Sequence, residues 1–190
     1  MLTGFTRFVI VLGLARNAIG LQAGTPPAQV IAGLALFFSL FVMMPTLHQI
    51  NDKAIQPYLH PPTGTSFPAS KAFGAAEGPL KTWMLKQTGS QELALTEREA
   101  GDHPDKPADA NITTIIPAFM LSQLKQAFII GFVIFIPFLM VDLLVSATLM
   151  SMGIVMLPPT LISLPFKILL FVMVDGWTLI IHSLFQSFQT

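Results

Sequence analysis

Hydrophobic and polar positions fall in three blocks along this chain, in the order apolar, polar, apolar. The first block, residues 1–50, is divided by Gly24-Thr25-Pro26-Pro27, a turn signal that stops one helix and lets another begin. Ala28 to Leu47 is free of charged side chains and has the roughly 20 residues that a spanning helix needs. Leu2 to Leu21 is a weaker segment, interrupted by Arg7 and Arg16. The central block, residues 51–111, opens with prolines at 57, 61, 62 and 68 and closes in the acidic stretch GDHPDKPADAN. Its pattern predicts one helix from Pro79 to about Thr88, a second from Gln91 to Ala100, and a linker after them. With few large apolar side chains it makes a poor core by itself and is expected to lean on neighbouring elements. The third block, residues 112–190, is long enough for two helices joined at Leu157-Pro158-Pro159, with kinks expected at Pro137 and Pro165. The pattern predicts an all-α chain: an N-terminal apolar helical hairpin, a small extramembrane helical insert, and a C-terminal apolar hairpin.

Composition supports a membrane-associated class, since 53% of the residues are hydrophobic and 11% charged, against roughly 25% charged in soluble domains. Charge is unevenly placed. Residues 1–50 hold only Arg7 and Arg16, residues 51–111 hold six basic and eight acidic side chains, and residues 112–190 hold Lys125, Asp142, Lys167 and Asp175. No basic patch exists to neutralise phosphates, so nucleic acid is not expected as a partner. The chain has no cysteine, and its four histidines stand apart from one another. No metal site and no cofactor are expected. Motifs for nucleophilic elbows, phosphate loops and zinc helices are lacking, and Ser122 with Lys125, the one Ser-x-x-Lys pair that could suggest a hydrolase, has no oxyanion donor to go with it. The expected chain is not an enzyme.

The charges in the third block are the most informative residues. A charge inside apolar sequence costs several kcal/mol unless it is paired or faces water or protein. In an ideal hairpin about Pro158-Pro159, Asp142 and Asp175 would share one depth. Lys167 would stand about 12 Å along the axis from either, beyond comfortable reach. Either the helices are broken or partners come from another subunit, and Asp142, Lys167, Asp175 and Lys125 are candidates for charge pairing that holds an assembly. A direct part in gating or proton coupling is the alternative. Arg16 lies near the Gly24 turn while the central block is nearly balanced in charge, so the positive-inside tendency puts that turn on the cytoplasmic side and the central block outside.

Several segments carry a family likeness: MLTGFTRFVIVLGLARNAIG at the start, TPPAQVIAGLALFFSLFVMMP from Thr25, INDKAIQPYL from Ile50 and MLKQT from Met84. It continues through PAFMLSQLKQAFIIGFVIFIPFLMVDLLVSATLMSMG from Pro117 and, most specifically, MLPPTLISLPFKILLFVMVDGW from Met156. In these the chain resembles the FliP family of export-gate proteins of flagellar and virulence-type III secretion systems.

The resemblance implies a structural subunit that joins further copies of itself and two related small export-gate membrane proteins in a closed helical spiral. The spiral would surround a path for exported polypeptides in the bacterial inner membrane, at the flagellar basal body, with the central block periplasmic. It also implies that a signal peptide and a further apolar segment precede the MLTGFTR piece. The family tends to carry consecutive methionines before the Pro-Pro turn, proposed to seal the pore, where this chain reads Gly153-Ile154-Val155-Met156. A constriction formed by Ile154, Val155 and Met156 would be more aliphatic, and Met150, Met152 and Met156 could equally be filler for irregular gaps. Ser122-Gln123-Leu124-Lys125 departs from the family's SELK-like pattern in losing the carboxylate. The flagellar branch is favoured by INDKAIQPYL and the sizeable insert. A virulence-type system, a small-solute transporter built on the intramembrane charges, and an intramembrane hydrolase are the other readings.

Overall fold

The computed structural model describes residues 2–20, 27–60, 68–101, 104, 106–154 and 157–188. Its elements in chain order are α1 (Phe5–Ile19), α2 (Ala28–Ile50), a π-helical turn (Asn51–Ile55), α3 (Gln56–Leu59), α4 (Ala69–Lys86) and α5 (Ser90–Ala100). A 3-10 turn (Pro107–Asp109), α6 (Ile112–Ser151), α7 (Pro159–Met173) and α8 (Gly176–Gln186) complete them. The fold is all-α, with no strand among the described residues.

Helix α2 continues through the π turn into α3, giving one run of 32 residues, and α6 is 40 residues long. Both are long and apolar enough to cross a membrane, and α7 with α8 passes the same test as a pair bent by 62°. The π turn has a local cause: Pro57 cannot donate to the carbonyl four residues back, and the wider helix before it sends the Gln56 N–H to Asn51 O. Helix α4 begins at Ala69, ten residues before the expected start at Pro79, and carries Pro79 inside it. Its first turns lie against the π turn and α3, and these contacts offset the hydrogen bond lost at Pro79.

The chain divides into two compact units, one made mainly of residues 39–125 and the other of residues 5–38 and 126–189. In the first, Trp83 of α4 packs on Phe119 of α6 with ring centroids 5.2 Å apart, beside fully buried Met84, Ile115 and Ala118. In the second, α1 forms the centre: Phe8, Val11, Leu12, Ala15 and Ala18 are at most 1% exposed and recur at helical spacing on one broad face. The segment that looked weakest for spanning is therefore the one most enclosed by protein. That enclosure accommodates Arg7, whose guanidinium donates to Ser187 O at 2.7 Å and Ser187 Oγ at 2.9 Å and lies 4.0 Å above the Phe188 ring. Small residues let the helices approach closely. A Cβ at Gly131 of α6 would meet Leu14 of α1.

Among its described residues the third block holds three helices where two were expected. Helix α7 runs through Pro165, and the break comes at Val174-Asp175, where Asp175 adopts the left-handed conformation with φ 48°. The bend is packed: Phe171 meets Trp177 edge-on at 5.3 Å, and a Cβ on Gly176 would lie 2.2 Å from two carbons of the Phe171 ring. Glycine at 176 is required by the ring. Gly176→Ala is expected to cost about 1–3 kcal/mol, read as a lower melting temperature in detergent. Phe171→Leu in the same chain should recover part of the loss; strictly additive losses would show that the ring contact is not the cause.

Candidate functional site

The sequence singles out the α6–α7 arm, and its geometry is set by where the helices end. Helix α6 closes in a Schellman motif: Gly153, at φ 74°, donates to Met150 O at 3.0 Å, and Ile154 donates to Leu149 O at 3.0 Å. Pro158 and Pro159 then start α7, where a missing N–H costs nothing. Helix α6 thus ends at Ser151 and α7 begins at Pro159. Asp142 therefore stands nine residues from the end of α6 and Lys167 eight residues into α7, about equal depths at 1.5 Å per residue.

The two meet there. Lys167 Nζ lies 2.6 Å from Asp142 Oδ2, with the lysine side chain 8% exposed and the aspartate 28%. Ser163, one turn before Lys167 and fully buried, donates to Asp142 Oδ1 at 2.5 Å. Both carboxylate oxygens are engaged. Lys167 also stands against the end of α1, because a Cβ on Gly20 would lie 3.9 Å from its Nζ. The negative end of the α1 dipole faces that cation.

Of the other candidate charges, Asp175 is exposed at the α7–α8 break. Lys125, with a side chain 50% exposed, pairs with Glu92 of α5 at 2.7 Å. The Lys125 ammonium, donating to the Glu92 carboxylate, holds that carboxyl below its usual range. Ser122 accepts the Gly89 N–H at 2.9 Å. Ser122 and Lys125 thus dock the start of α5 onto α6. The lysine that a hydrolase would use as a base is engaged by a carboxylate. Gln123, where the SELK-like pattern has its carboxylate, is fully buried, and neither end of its amide has a hydrogen-bond partner.

Around the turn, Met150 and Met152 are 71% and 67% exposed. Ile154 is half-buried, and Val155 and Met156 lie outside the described residues. Among the described residues no cluster of His, Asp and Glu could hold a metal ion. Sequence reasoning missed Ser163, Gly20 and Glu92. Ser163 was legible, since Ser-x-x-x-Lys puts both side chains on one helix face, whereas Gly20 and Glu92 reach their partners only through the fold.

The FliP family model matches residues 1–184 of this chain. The chain belongs to the FliP family. FliP relatives cover essentially its whole length. The flagellar biosynthetic protein FliP of Bacillus subtilis strain 168 is 50% identical over 189 residues, 99% of this chain and 83% of the relative. Those of Caulobacter vibrioides and Aquifex aeolicus are 48% and 45% identical, covering all of this chain and 70% and 78% of theirs.

In this FliP-family chain the paired charges are stabilising only as a set. Lys167→Ala leaves the Asp142 carboxylate without its cation and is expected to cost about 3–5 kcal/mol. Lys167→Met with Asp142→Leu removes both charges and should cost much less. Thermal unfolding of the purified protein reads both; a single variant as stable as the parent would refute the pairing.

Proposed function

We propose that this chain is a structural, channel-forming subunit of the flagellar type III protein export gate, passing unfolded flagellar proteins across the bacterial inner membrane. The match to the FliP family over residues 1–184 carries this reading, and the relatives described above are named flagellar biosynthetic proteins. The role is conductive, with no chemical step and no cofactor. Several copies assemble with two related small membrane proteins.

The exposed apolar surface supports that assembly. Phe37 and Phe41 on α2, Phe128, Phe132 and Leu144 on α6, and Val172 on α7 are each more than half exposed. Irregular backbone at membrane depth, such as the α7–α8 break, is tolerated only where protein covers it or water lines it. Residues 51–111 face the periplasm, a reading supported by Arg16 near the Gly24 turn and by the nearly balanced charge of the central block.

The α6–α7 turn forms the narrow part of the path. Ile154, Val155 and Met156 from neighbouring copies would meet there as an apolar constriction that excludes water and ions at rest. Methionine yields to a passing chain. Replacing the three together by Gly or Ser should raise ion conductance of the assembled complex well above background and leave its size unchanged. Background conductance in an intact complex would place the seal elsewhere. A strain lacking the gene that swims normally would overturn the export role itself.

A further inference from the structure

The unit built around α1 holds five formal charges: Arg7, Arg16, Asp142, Lys167 and Asp175. Arg7 is held by Ser187, and Asp142 holds Lys167. Two remain. Arg16 is half-buried near the end of α1, and its Nε is buried without a hydrogen-bond partner. Asp175 is exposed at the α7–α8 break, and its carboxylate does not cap α8. Among the described residues neither side chain has an ionic partner. Around Asp175 the surface is apolar, with Val172 71% and Met173 76% exposed. A lone carboxylate in such a surface costs several kcal/mol unless a cation or water reaches it.

The two stand in the half of the unit nearer the Gly20–Lys167 contact. Helix α1 runs antiparallel to the α7–α8 arm: Gly20 lies beside Lys167 at one end, and Arg7 holds Ser187 at the other. Counted from that first end, Arg16 is four residues along α1 and Asp175 eight residues along the arm, at the point where the arm bends by 62°. Among the described residues of this unit, one cation and one anion without an ionic partner, both nearer the same end, are the complement that a head-to-tail repeat of one chain requires. Every interior copy then satisfies both neighbours.

We propose that Arg16 of one copy of this chain pairs with Asp175 of the next copy, closing an ion pair across the interface between subunits. This rests on the several-copy reading above. It also assigns the α7–α8 bend a task, since the break is what turns the carboxylate outward.

The chain has no cysteine, so engineered thiols report cleanly. Arg16→Cys in a copy with one tag and Asp175→Cys in a copy with another are co-expressed with the partner proteins. The purified complex is then treated with a short bifunctional thiol reagent, because an Arg–Asp pair holds its Cα atoms farther apart than a disulfide allows. A crosslinked species carrying both tags is expected, with none when either variant is expressed alone. In parallel, Arg16→Asp or Asp175→Arg alone should lower the yield of assembled complex by about tenfold or more, and the two together should restore most of it. A complex of normal mass and copy number with neither crosslink nor recovery overturns the pairing and leaves the several-copy reading standing. If the cysteine variants fail to assemble, the reversed pair decides, and its failure to recover assembly overturns the proposal. A parent complex holding one copy of this chain overturns the several-copy reading itself.

Discussion

The ion pair between Lys167 and Asp142 is the contact on which the rest of the C-terminal arm depends. It works only because α6 stops at Ser151 and α7 starts at Pro159, so that two residues 25 positions apart in sequence reach one depth. Ser163 fills the second carboxylate oxygen, and the end of α1 faces the ammonium. A buried pair is seldom a large net source of stability, since desolvation opposes it. Its value here is registry: an arm of nearly uniform apolar side chains could slide by a turn at little cost, and a single charged contact makes every other register unfavourable. Helix α1 then locks the same arm at its far end through Arg7 and Ser187.

Much of the fold was legible because the hydropathy blocks are long. The extents of α2, α5 and the Pro158-Pro159 start of α7 follow from uncharged runs, a Gly cap and proline chemistry. The α4 start was not legible, because Pro79 is a strong local signal for a first turn and only tertiary contact with the π turn carries helix across it. The break at Asp175 was hidden for a related reason: proline at 165 is the expected breaker, and nothing in the local sequence announces that a non-glycine residue will take a left-handed conformation. The site divides likewise. An ideal hairpin counts the loop residues as rise and so leaves Lys167 stranded at a different depth, an error that disappears once the Gly153 cap ends α6.

Between the two kinds of surface lies the physical case for assembly. The apolar face of helix α1 and its Arg7 are enclosed by their own chain, whereas α2, α6 and α7 leave large aromatic and aliphatic side chains uncovered. Lipid could cover the apolar part of that surface but offers nothing to a free Asp175 carboxylate. A neighbouring subunit, as proposed above, would cover both.

The most direct measurement is the native mass of the particle extracted with a tagged copy of this chain and the two partner proteins. The account predicts one large hetero-oligomer that contains several copies of the 20.7 kDa chain. A monodisperse single chain, stable by itself in detergent with its apolar arms uncovered, would contradict it.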